Sequence, residues 1–213
     1  MQTVLHSDPV SVSAALARLG LHEEVLLEAA RQGHLARANA TANHPPLHAS
    51  FVAWSEAVRA LRDGLAPDGW MRSNERNWPR VMHPNGRTAL TVATGNESTG
   101  RAEETPATTS SKGPSTIAAI EVNRSLWLPG FEPPEPQPGD PQADEPTTWL
   151  LLIHHASDEI RCELALPLDV DLEGRVSVWR ERIILRALPL DPEAIDITPP
   201  PQPDIDVAIR RKA

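Results

Sequence analysis

Gly95-Asn96-Glu97-Ser98-Thr99-Gly100 and Ser110-Ser111-Lys112-Gly113 are the residues of this chain whose types and spacing best fit binding chemistry. Glycines let a ligand approach the backbone closely, hydroxyls add donors, and Lys112 supplies a point charge. Pro114-Ser115-Thr116 then opens a helix, whose unpaired N–H groups favour anions. Gly95, Asn96, Thr99, Gly100, Ser111, Lys112 and Gly113 are therefore the candidate ligand- or anion-binding residues. The run contains neither GxxxxGK[ST], because Lys112 precedes Gly113, nor GxGxxG. Glu97, Glu103 and Glu104 oppose an anion, so a long surface loop built of turn residues explains the same stretch.

The remaining reactive side chains give no reaction. There is no GxSxG, and Cys162, the only cysteine, has no base indicated beside it. It lies in an alternating apolar run, where cysteine behaves as a small buried hydrophobe. His44 and His48 are four apart, but Pro45 and Pro46 exclude the helix that would align them. His154 and His155 point to opposite faces of a strand. His22-Glu23-Glu24 lacks the second histidine of HExxH. Glu159, Arg161 and Glu163 share one strand face, which reads as a solvated face. No catalytic residue, metal ligand or cofactor is assigned.

Charge bounds the partners. The chain carries −9 overall, made up of +1 over residues 1–95, −6 over 96–150 and −4 over 151–213. Nucleic acid and anionic membrane repel such a chain outside a local basic patch. The longest apolar run, Trp149–Ile153, is too short to span a bilayer, and the start MQTVLHSDPV has no signal-peptide pattern. A cytoplasmic location is the expectation.

The elements that must position these residues read as an α+β fold. Asp8-Pro9 starts a first helix that Gly20 breaks, and a second runs from about His22 to His34, with Gly33 marking its end. Two glutamates at the start of the second helix and few basic residues along it fit poorly with a helix-turn-helix reader of DNA. Ser50 caps a third helix in which Phe51, Trp54, Val58, Leu61 and Leu65 form the core-facing stripe. Pro79–His83 and Arg87–Thr94 form a β-hairpin around Asn85-Gly86, and residues 114 to about 128 a fourth helix. Beyond it, Trp149–His155, Ile160–Leu166 and Arg175–Leu185 make an antiparallel meander, with Ile205–Ile209 as a final edge strand. Residues 1–128 thus form a helical and hairpin unit and residues 148–213 an antiparallel β unit. The alternative is that the later strands complete one sheet with the hairpin. Residues 129–147 are acidic and proline-rich, a composition expected of a mobile linker.

Gly69-Trp70, His83-Pro84-Asn85-Gly86-Arg87 and Val92-Ala93-Thr94-Gly95-Asn96-Glu97-Ser98-Thr99-Gly100 resemble a group of uncharacterised bacterial proteins over residues 10–125. That resemblance implies a bacterial origin and an intact N-terminal unit, and it carries no activity. The sequence as a whole points to a non-catalytic binding or assembly protein of a cytosolic complex, with a protein partner or self-association. The alternative is a nucleotide- or nucleic-acid-handling protein that uses the loops at 94–116.

Overall fold

A computed structural model describes residues 3–125 and 145–190. Most of the expected linker and the expected strand Ile205–Ile209 lie outside the described residues.

The described chain is an α+β fold of four helices and one mixed sheet. The strands are β1 (Val4–His6), β2 (Met71–Ser73), β3 (Arg80–Met82), β4 (Thr88–Thr94), β5 (Thr147–His155), β6 (Glu159–Val170), β7 (Val176–Ile184) and β8 (Leu188–Pro189). They lie in the order β1-β7-β6-β5-β4-β3-β2, with β8 against one end of β6. The hairpin strand β4 runs parallel to β5, from Thr88 opposite Thr147 to Thr94 opposite Ile153, so strands from both halves of the sequence share one sheet. Parallel neighbours need a crossover, and α4 (Pro114–Ser125) provides it.

Three helices cover one face: α1 (Pro9–Arg18), α2 (Glu23–Ala38) and α3 (His48–Leu65). Asp8 caps α1 by accepting the Ser11 N–H at 3.0 Å, with Pro9 in the first turn. Leu16, Leu26, Leu27, Leu61 and Leu65 meet Leu90, Leu151, Leu164 and Ile183 of the sheet in the larger core. On the opposite face, Ile120 of α4 packs with Leu150, Leu152, Ala165 and Trp179. Buried Asn123 fixes that helix by donating to the Thr148 and Pro167 carbonyls and accepting the Thr148 N–H.

One glycine corrects the helix reading. Gly33 does not end α2, which runs on to Ala38, and Gly64 likewise lies within α3, next to its last residue. A Cβ on Gly33 would stand 2.6 Å from the Ala53 carbonyl oxygen, and one on Gly64 would stand 2.8 Å from Val25 Cγ1. The two helices therefore approach closely, and small residues meet there. Ala53, Ala57 and Ala60 join Leu61 and Leu65 on the buried side, while Phe51 is 62% exposed and Trp54 and Val58 are half-buried. The helix also begins earlier than expected, with Leu47 rather than Ser50 before its first turn.

Candidate functional site

The expected binding loop is a cover over the sheet. Asn96 pairs with Ala107 twice: its N–H donates to the Ala107 carbonyl at 2.9 Å, and its side chain accepts the Ala107 N–H at 3.1 Å. Thr108 bridges to Gly95 and accepts the Val176 N–H through its hydroxyl. Gly95 closes over Thr99, which is fully buried with its hydroxyl unpartnered among the described residues. Gly100 takes a left-handed φ of +74°, and a Cβ there would meet Arg161 Cβ at 2.9 Å. Its N–H donates to Glu163 Oε2 at 3.0 Å.

The charged face of β6 is consequently not solvated. Glu163 is fully buried and Arg161 is 7% exposed. Arg182 of β7 grips Glu163 with two bonds, Nε to Oε1 at 3.0 Å and Nη2 to Oε2 at 2.7 Å. The remaining Arg182 donors reach the Glu104 carbonyl at 2.7 Å and the Arg101 carbonyl at 3.0 Å. Arg161 donates to the Glu97 carbonyl at 2.8 Å. Ionised groups this deep need such pairing, and the loop supplies it.

Gly95, Asn96, Thr99 and Gly100 thus lie together near the start of β6, but Ser111, Lys112 and Gly113 do not join them. The Lys112 N–H donates to the Gly174 carbonyl in the turn beyond the far end of β6. The stretch from Glu163 to that turn is roughly 20 Å at the usual rise of a strand. Lys112 Nζ donates to Ser110 Oγ at 3.3 Å, and burial pulls its ammonium below the ordinary lysine range. Gly113 accepts the Thr116 and Ile117 N–H groups at the start of α4.

A cleft of about 570 Å³ opens elsewhere, between α3 and the end of the sheet that β2 closes. Trp54, Val58, Arg59, Arg62, Trp70 and Arg72 contribute to its walls. Gly69, with a φ of +82°, turns the chain from α3 into β2, and Trp70 is buried with its ring edge-on to His83 at 4.8 Å. Arg62 ties helix to strands through one nitrogen, which donates to the Ser73 carbonyl at 2.7 Å, Asn74 Oδ1 at 2.8 Å and the Arg80 carbonyl at 3.1 Å. Its Nε is buried without a partner among the described residues, and burial followed by the charge of Arg72 holds its pKa below the usual arginine range. Arg59 is neutralised by Glu56 and Asp63, each at 2.7 Å. Arg62 and Arg72 have no carboxylate within ion-pair distance among the described residues. Among the described residues β2 pairs only with β3, and Met71 on it is 61% exposed.

Sequence reasoning passed over this cleft. Met71-Arg72-Ser73 is too short to show alternation, and Arg59, Arg62 and Arg72 scatter over fourteen positions. The one available signal was Trp70, an indole near the end of an element.

Histidines meet at the end of β5. The rings of His34 and His155 lie 5.6 Å apart, and each has a buried Nδ1 without a partner among the described residues. Burial, then the neighbouring charges of His34, Arg37 and His154, lowers the pKa of His155 to about 4. No group of three or more metal-binding side chains occurs among the described residues. Cys162 is buried in the larger core, and burial pushes its thiol up to about 12, outside the nucleophile range. No helix among the described residues is long and apolar enough to cross a membrane. Neither a family model, a curated protein nor a solved structure matches the chain.

Proposed function

We propose that this chain is a non-catalytic binding or assembly protein that docks an acidic, extended segment of a partner protein along β2, over the cleft to α3. The observation that carries this reading is the coincidence of a sheet edge with two guanidiniums, Arg62 and Arg72, where among the described residues neither the edge has a second strand nor the guanidiniums a carboxylate. An open strand edge offers main-chain hydrogen bonds to an incoming strand, and the adjoining cleft reads its side chains. Arginine forks fit carboxylates two bonds at a time, and the half-buried Trp54 and Val58 give the cleft an apolar floor. The charge of the cleft thereby specifies the partner as acidic even though the chain itself is acidic.

The loops at 94–116 support the nucleotide alternative less well. Glu163 already occupies the Gly100 N–H, and the glycine and lysine ends stand well apart.

Photocrosslinking in the native cell tests the reading. A photoreactive residue at Met71 is expected to join one protein through an acidic stretch, with the same residue at exposed Leu172 failing to do so. Arg72→Glu is expected to lower that crosslink at least about tenfold, the scale of one charge-assisted contact. Equal crosslinking from Met71 and Leu172, or a product indifferent to Arg72→Glu, contradicts it.

A further inference from the structure

Arg80 is 7% exposed, yet its guanidinium is barely satisfied. Among the described residues only one of the five N–H donors in the fork reaches a side chain, donating to Glu75 Oε2 at 3.4 Å, and Nε is buried with no partner. The Glu75 side chain is itself 75% exposed, so this pair is weakly held. The guanidinium carbon sits 4.8 Å from the centre of the Trp78 ring, a cation–π arrangement that fixes its position.

A cavity of about 80 Å³ opens beside this stack, between the 75–80 segment and α4. Arg76, Trp78, Ser115, Ala119 and Val122 contribute to its wall, and Glu75 and Glu145 line it too. Ser115 belongs to the first turn of α4, so the positive end of that helix borders the same space. The backbone that presents the stack is strained: Arg76 and Asn77 hold left-handed φ values of 52° and 56° without being glycine. Such conformations persist where the surroundings enforce them, and they gather at ligand clamps.

We infer that this cavity is a seat for a carboxylate, which takes the Arg80 fork in place of Glu75. The incoming group is an Asp or Glu side chain, or a chain terminus, of the docked segment. The seat lies one strand in from the docking edge, since Arg80 pairs with Ser73 of β2. It rests on the docking reading only in taking its ligand to be a polypeptide. Buried charge so weakly paired is costly, so occupation by a bidentate acceptor is favourable. Glu75 competes with that acceptor for the fork, and removing it strengthens binding.

The test uses the full chain and two probes: N-acetylglutamate α-amide, which offers a side-chain carboxylate, and N-acetylalanine, which offers a terminal one. The Trp78 indole N–H and Arg80 Nε–H signals are followed by NMR. A saturable shift with at least one probe is expected. Glu75→Gln, an exposed change, is expected to lower the half-saturating concentration at least about threefold, and Arg80→Gln to abolish the response. The inference is overturned by the absence of a saturable shift in both the natural chain and Glu75→Gln, by a shift that survives Arg80→Gln, or by a response to inorganic phosphate alone. Its failure leaves the Met71 crosslink standing, and loss of that crosslink leaves the seat standing.

Discussion

Arg182 of β7 and Glu163 of β6 form a two-bond ion pair in which Glu163 is fully buried, and the pair holds residues 100–104 against the sheet. Removing one partner strands the other charge. Glu163→Ala is expected to cost about 3–5 kcal/mol in chemical denaturation. The double change Glu163→Leu with Arg182→Met is expected to recover most of that loss, because it removes both charges and keeps the volume. A double change as costly as the single one would contradict the role assigned to the pair.

Acid is expected to weaken the fold through His155. Its folded pKa of about 4 lies below the ordinary 6.5, so the unfolded chain takes up the proton first as pH falls. The stability this group confers is present in full above about pH 6.5 and is lost progressively towards pH 4. His34 and Arg37 on α2 and His154 beside it on β5 oppose the charged form. Thermal melts between pH 7.5 and 4.5 should fall more steeply for the natural chain than for His155→Phe. Parallel curves would show that His155 is not the group responsible.

The contact between α2 and α3 makes opposite predictions for its two glycines once a neighbour is changed. Alanine normally improves a helix over glycine by about 1 kcal/mol. Here Gly33→Ala drives a methyl into the Ala53 carbonyl and is expected to destabilise by about 1–3 kcal/mol. The atom nearest the new methyl of Gly64→Ala is Cγ1 of Val25, so adding Val25→Ala should relieve the strain of that substitution but not of Gly33→Ala. Denaturant midpoints of the four variants decide this.

Much of the fold is visible in the sequence because its longer elements are locally periodic. Ile160, Cys162, Leu164 and Leu166 alternate and do face the helices. The opposite face of the same strand misleads, because Arg161 and Glu163 look like solvent-facing charges until residues 97–104, some sixty positions away, fold over them. The apolar stripe of α3 misleads for a similar reason. Gly33 on another helix draws Ala53 and Ala57 inward and leaves Phe51 outside. Asn85-Gly86 shows the hairpin, although only Gly86 takes a positive φ there. Three-residue β1 and β2 carry no pattern of their own and exist through their pairing with β7 and β3. The cleft is illegible for that reason: its arginines come from α3 and β2, and their convergence is a tertiary fact.

The docking claim is tested most directly by hydrogen exchange on the chain with and without the protein captured from Met71. If that protein adds a strand, backbone amides of Met71–Ser73 gain protection on binding, and the β6–β7 turn at 171–175 does not change. Protection confined to residues outside β2 and α3, with Met71–Ser73 exchanging as in the free chain, would contradict it.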